Sequence, residues 1–430
     1  MNAEALEAIT ETISTQHTVL KQKVAELADE FRQAALGTEK NRRVSAAHID
    51  ALRQIGYFDA VKPKEFGGQA LPFTELVDAN IDVSAACAAT GWVAGLLSAH
   101  QWLLAMFPKE AQSDVWGNNP DALLCGSYAP INMADKVVDG YQLSGRWSFA
   151  SGCDNAQWSL CAAILPAENG KNPIPAFLLV PASQYTIDDT WDVVGLAGTG
   201  SKTLVLDKVV VPAHRVLTFP QAVTGKTPGA DVYQGQALFN MPLLTGIPSC
   251  LASTAVGAAK GALQSYVDSV GHRVTRGAVA GGNSKMAEFP TIQLRVAEAA
   301  ASIDAAREIL LRDIERAQML AVQNETFPLE DRMLSRRGQS FAVHLSLRAV
   351  EALNASTGGL GLNMSNPVQR AWRDANAVGR HISMNWDAVG TMVGQHIFGL
   401  EPKGQYRQRR HAYLICAPKL ETVHFFTESR

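Results

Sequence analysis

The hydrophobic period of this sequence changes twice, and few folds accommodate such a change. Up to about residue 122, and again beyond about residue 230, apolar residues recur at three- and four-residue steps, the period of amphipathic helices. Leu6, Ile9, Ile13, Leu20, Val24, Leu27 and Phe31 run this way along residues 4–36. Ser45 is a good N-cap for a second helix that stops at Gly56. Residues 72–107 are helical in pattern and rich in small side chains, which let helices approach closely. Between about 123 and 218 the pattern becomes that of strands: apolar runs at 160–165, 176–180 and 202–211, punctuated by Pro and Gly. Long helical patterns return at 241–270, 288–323, 329–356 and 383–400, and residues 243–262 carry so little charge that this helix should be buried on all sides. The expected class is α+β: an N-terminal helical domain (1–122), a small antiparallel β-barrel or sandwich (123–230) and a C-terminal four-helix bundle (231–430).

Composition narrows the function. The chain has 430 residues, 47% of them hydrophobic and 18% charged, with a net charge of -3, so it can bury a large core and offers nucleic acid no basic surface. Its six cysteines include no Cys-x-x-Cys pair, which points away from zinc and disulfide frameworks and fits reduced thiols in a cytoplasmic protein. No metal is expected. No stretch reaches the length of a membrane span. Gly-Leu-Ala-Gly-Thr-Gly-Ser-Lys-Thr at 195–203 fails as a phosphate-binding P-loop, because Ser201 stands where lysine must follow the second glycine and strands flank it. A Gly-x-Gly-x-x-Gly fingerprint after a strand is also missing, so the chain has no evident nicotinamide site of its own.

The most distinctive local stretch is Gly-Arg-Trp-Ser-Phe-Ala-Ser-Gly at 145–152, which follows an Asp-Gly turn at 139–140. Strand alternation would put Trp147, Phe149 and Ser151 on one face and Ser148 and Ala150 on the other. A planar aromatic, small residues and a hydroxyl at a strand end suit a flat ring such as a flavin. They also suit an ordinary half-buried strand.

The order of blocks resembles the acyl-CoA dehydrogenase fold, and five motifs agree. Gly-Tyr-Phe at 56–58 through Gly68 is similar to the family's glycine-rich loop, and residues 198–212 to the strand signature that closes its middle domain. Residues 257–273 are similar to a helix ending in an arginine, Arg273 here, which in the family reaches a flavin phosphate in a neighbouring subunit; Arg276 is a substitute. Thr-Gly-Gly-Leu-Gly at 357–361 matches a turn that implies Gly358 and Gly359 contact the cofactor. Pro-Val-Gln-Arg at 367–370 with Arg-Asp-Ala at 373–375 matches the helix that follows.

Departures point to a different reaction. The carboxylate that removes a proton beside a thioester is expected nine residues after Arg373, where this chain has Ile382, with His381 beside it. Thr-Gly-Trp at 90–92, Ala-His-Gln-Trp at 99–102, Gly-Ser-Tyr at 126–128, residues 147–154 and His381 near Asn385 and Trp386 instead resemble the oxygenase components of two-component flavin-dependent monooxygenases, the group of p-hydroxyphenylacetate hydroxylase. That resemblance implies reduced FMN or FAD delivered by a separate NAD(P)H:flavin reductase, oxygen addition at flavin C4a, hydroxylation of a small phenolic or indole-like aromatic, and a homotetramer. It implies that Trp147, Phe149, Ala150, Ser151 and Arg273 hold the flavin, with Ser151 donating to flavin N5. His381 becomes a proton donor, while His100, Trp92 and Ser127 line the substrate site, His100 favouring phenolate and Trp92 forming an apolar wall. His100 and Trp92 lie eight residues apart, roughly 12 Å along one helix and on neighbouring faces. An acyl-CoA dehydrogenase with a relocated base and a flavin-free scaffold of the same fold are the alternatives.

Overall fold

The computed structural model describes residues 3–167, 172–274, 284–323 and 327–402, with side chains described from residue 19 onward. Arg276, His411, His424 and Cys416 lie outside the described residues. The first block holds helices α1 (Ala3–Asn41), α2 (Ala46–Gln54), α3 (Phe73–Ala86), α4 (Ala88–Leu104) and α5 (Lys109–Trp116). Ser45 caps α2 by accepting from His48 N–H at 3.2 Å. The helix expected over 72–107 is broken: Cys87 is extended (φ -153, ψ 108) and ends α3 while opening α4. Small residues permit the fold-back, since a Cβ on Gly91 would stand 1.9 Å from Ser84 Oγ.

Eight strands follow: β1 (Leu124–Met133), β2 (Asp135–Val137), β3 (Gly140–Ala150), β4 (Trp158–Leu165), β5 (Ile174–Pro181), β6 (Thr186–Asp188), β7 (Lys202–Pro212) and β8 (Val216–Thr218). They form two four-stranded sheets, ordered β1-β4-β5-β8 and β2-β3-β7-β6, so of the two forms expected the sandwich is the one built. One pair departs from the antiparallel expectation: β1 and β4 run parallel. Trp147 joins the sheets, its indole N–H donating to the Ala162 carbonyl of β4 at 2.7 Å.

Three short helices, α6 (Phe219–Thr224), α7 (Pro228–Val232) and α8 (Ala237–Asn240), lead into α9 (Leu243–Val270), α10 (Pro290–Val322), α11 (Leu329–Asn354), α12 (Pro367–Gly379) and α13 (Trp386–Ile397). Helices α9 to α12 pack as the bundle, with α13 against α11. As its composition requires, α9 is buried through Ala262 apart from Leu244 and Lys260. Pro248 lies inside α9 and has no N–H for the Leu244 carbonyl. Gln339 Nε2 of α11 donates to that carbonyl instead, at 3.0 Å. All five described cysteines are buried free thiols.

Candidate active site

The end of β3 departs from simple alternation. Phe149 takes a left-handed φ of 65°, and the pairing register with β7 slips between Trp147 and Ala150, which is a β-bulge. The expected division of faces is therefore corrected. Trp147 and Ala150 are buried, whereas Ser148 and Phe149 are exposed, Phe149 meeting Trp191 edge-on at 6.0 Å. Trp147 has 1% of its surface exposed and its N–H engaged, so it acts in the sandwich interior rather than presenting a free face for stacking.

The bulge delivers Ser151 to a turn pinned on the 195–203 loop. Gly152 N–H donates to the Thr199 carbonyl at 3.1 Å, and Lys202 pairs with Asp154 at 2.8 Å. The rejected P-loop has this structural job, and α12 holds it from the other side. Arg373 donates to the Val194 carbonyl at 2.7 Å and buried Asp374 accepts from Leu196 N–H at 2.6 Å. Burial pushes the Asp374 carboxyl up to about 6.

A line of hydroxyl groups runs through this turn. Thr199 Oγ1 lies 2.8 Å from the Leu196 carbonyl and 2.6 Å from Ser201 Oγ, which lies 2.7 Å from Ser151 Oγ, and in each hydroxyl pair either oxygen can be the donor. Ser151 Oγ also accepts from Trp92 Nε1 at 3.0 Å. Ser151 can donate to Ser201 and keep a lone pair outward, or accept from Ser201 and turn its proton outward. Reduced flavin carries a proton on N5, so an accepting Ser151 matches that ring. Thr199 and Ser201 are not among the site residues expected from the sequence; the signal for them is the Gly-Thr-Gly-Ser-Lys-Thr run that opens the strand signature of the middle domain.

Trp92 joins Ser151 to His381, whose ring it meets edge-on at 6.0 Å. His381 sits in the turn between α12 and α13, half-buried, and its Nδ1 accepts from Ser383 N–H at 3.2 Å. Burial and the nearby Arg336 guanidinium lower its pKa to about 4. At neutral pH it is uncharged with its proton on Nε2, so it can donate a hydrogen bond but is not the imidazolium expected of a proton donor near pH 7. The adjacent Ile382 is 58% exposed, and no carboxylate occupies that place.

His100 has the opposite tautomer. Its Nδ1–H donates to the Leu124 carbonyl at 2.6 Å, leaving Nε2 as a bare acceptor that is buried without a partner. Burial lowers its pKa to about 4. Ser127 is separated from it: Oγ donates to the Ser148 carbonyl at 2.6 Å, tying β1 to β3. Arg273 and Gly358 meet elsewhere. Arg273 Nη1 donates to the Thr357 carbonyl, and a Cβ on Gly358 (φ 69°) would stand 3.2 Å from Nη2. Gly359 follows with open space above it.

Comparison with known proteins gives the family of the chain. Residues 14–118 match the acyl-CoA dehydrogenase N-terminal domain and 249–386 its C-terminal domain. The chain is 73% identical over 394 residues, 91% of its length and 96% of the relative's, to an FADH(2)-dependent resorcinol hydroxylase, oxygenase component, of Rhizobium sp. (strain MTP-10005). It is 28% identical to the p-hydroxyphenylacetate 3-hydroxylase oxygenase component of Acinetobacter baumannii, with 89% of each chain covered. Among solved structures, 3-HSA hydroxylase from Rhodococcus sp. RHA1 superposes with a TM-score of 0.83 at 34% identity, covering 90% of this chain and 98% of that one. XiaF from Streptomyces sp., in complex with FADH2 and glycerol, superposes with 0.85 at 26% identity, covering 93% and 99%. The chain belongs to the oxygenase components of two-component flavin-dependent aromatic hydroxylases, built on the acyl-CoA dehydrogenase fold and using reduced flavin.

Proposed function

We propose that the chain hydroxylates a small phenol, with resorcinol or a similar dihydric phenol as substrate and FADH2 from a separate NAD(P)H:flavin reductase as the preferred reductant. The observation that carries this reading is His100. Its tautomer is fixed by the Leu124 carbonyl, so a buried, partnerless Nε2 is ready to accept a phenol proton. The 73% identical relative is named for resorcinol. Accepting that hydrogen bond shifts electron density into the aromatic ring, which electrophilic oxygen transfer requires.

Reduced flavin, when bound, supplies with O2 the oxygen atom that is transferred. Ser151 would accept from N5–H, which holds that proton in place. His381 would offer its Nε2–H as a neutral donor on the far side of Trp92. A dry site matters because water and stray protons divert the reaction to free peroxide. Arg273 with Gly358 and Gly359 would hold a flavin phosphate at a subunit boundary of a homotetramer. Leu360, Leu362 and Met364, all more than half exposed next to that turn, give such a contact its apolar surface. Trp147, Phe149 and Ala150 would support the flavin through the strand end they shape. A cytoplasmic location fits the buried free thiols; among the described residues no helix is long and apolar enough to cross a membrane.

The test combines the purified protein with FADH2 or FMNH2, oxygen and resorcinol, with chromatography of the products. A trihydroxybenzene formed in proportion to oxygen consumed is the expected result. Oxygen consumption yielding only hydrogen peroxide with every phenol tried overturns the reading.

A further inference from the structure

We propose that Tyr128 is a specificity-determining residue, a second polar anchor which with His100 selects aromatic substrates carrying two hydroxyl groups over those carrying one. The inference rests on the phenol-hydroxylase reading and adds a residue and a selection rule to it. Residues 126 and 128 share a face of β1, and that face turns toward α4. The rings of Tyr128 and His100 lie side by side, with centroids 5.7 Å apart and planes 32° apart. The Tyr128 hydroxyl is closed off from solvent and has no hydrogen-bond partner, as is true of His100 Nε2. Two neighbouring buried polar atoms without partners are uncommon in a folded protein, and a ligand that satisfies both explains them together.

Their chemistry is complementary. His100 Nε2 can only accept, since Nδ1 carries the ring proton. Tyr128 keeps its phenolic proton, because burial raises its pKa well above the usual range, so it can donate. One substrate hydroxyl would donate to His100 and a second would accept from Tyr128; a monohydric phenol leaves one of the two unsatisfied.

The surroundings keep both anchors available. A Cβ on Gly126 would stand 2.9 Å from Tyr128 Cε1, and 3.3 Å and 3.4 Å from His100 Cε1 and Nε2, so glycine lets both rings lie close against the strand and side by side. Phe177 packs edge-on against Tyr128 at 4.9 Å and is itself backed by Phe219 at 4.4 Å. These rings hold Tyr128 without competing for its hydroxyl.

The experiment measures KM and kcat for resorcinol and for phenol, with the reductase present, in wild type and Tyr128→Phe, alongside calorimetric titration of each phenol into the flavin-free protein. The expected result is a loss of about tenfold in affinity and in 1/KM for resorcinol, the equivalent of ~1.4 kcal/mol, with a change below about twofold for phenol. Gly126→Ala, which sets a methyl group against both rings, is expected to weaken both phenols. Melting temperatures verify that both variants are folded. An unchanged resorcinol-to-phenol ratio in Tyr128→Phe, while wild type still hydroxylates resorcinol, overturns the role of Tyr128 alone. A wild type that hydroxylates no phenol overturns the functional reading and this inference together.

Discussion

Trp92 Nε1 donates to Ser151 Oγ across 3.0 Å, joining a helix to a strand end 59 residues away. With Ser201 and Thr199 this bond extends into a line of hydroxyl groups that ends at the Leu196 carbonyl. Ser201→Ala removes the group that can take the Ser151 proton, and that proton is then free to turn outward. The fraction of oxygen lost as hydrogen peroxide should rise about 3- to 10-fold, the kinetic equivalent of one hydrogen bond of ~1 kcal/mol. Reduced-flavin affinity should stay within about twofold. A peroxide assay during turnover and a flavin titration measure the two; an unchanged peroxide yield removes the line of hydroxyls from the chemistry.

His100→Ala should leave reduced-flavin binding intact and lower hydroxylation by about 100-fold, the low end of what a positioned acid or base contributes. Oxygen uptake should continue, because flavin oxidation does not require His100. The measurement is product formed per oxygen consumed, and full coupling in the variant would exclude His100 from the reaction.

Of the three shifted groups at the site, the two histidines oppose Asp374 in their contributions to pH stability. The folded pKa of His100, about 4, lies below its unfolded value of 6.5, so the unfolded state binds the proton more tightly and stability falls as pH drops from 6.5 toward 4. The His100 share is on the order of 3 kcal/mol, and His100→Gln should remove it while leaving the His381 share, which has the same sign. Asp374, raised from 3.8 to about 6, has the reverse sign: stability falls as pH rises from about 4 to 6 and is flat above. Asp374→Asn keeps the acceptor for Leu196 N–H and should remove that loss. Denaturant titrations from pH 4 to 8 on the three proteins resolve both.

Trp147 separates packing from stacking. Trp147→Phe keeps a ring in the sandwich but loses the bond to the Ala162 carbonyl, and should cost about 1–3 kcal/mol because a buried acceptor is left bare. Trp147→Ala should cost about 3–5 kcal/mol. If flavin affinity falls further than stability in Trp147→Phe, the ring contacts the cofactor directly.

The fold was legible in the sequence because periodicity is local. The turn from helical to strand patterns, the Ser45 cap and the uncharged α9 each depend on neighbours a few residues away. The site was legible only in part. Trp92, Ser151 and His381 do come together, but whether Ser151 accepts or donates depends on Thr199 and Ser201, about 50 residues further along the chain. The left-handed Phe149 defeated the period-two reading, since nothing in a Phe signals a bulge. The tautomers of His100 and His381 are set by the Leu124 carbonyl and the Ser383 N–H, backbone partners that no side-chain pattern displays.

The buried thiols carry a consequence for the enzyme's working life. Cys125 and Cys161 are pushed up to about 12 by burial, and Cys87, Cys153 and Cys250 are raised too. Peroxide attacks thiolate, which these residues scarcely form at neutral pH. An oxygenase that misfires now and then releases an oxidant inside its own walls, and the described cysteines are kept in the form that ignores it.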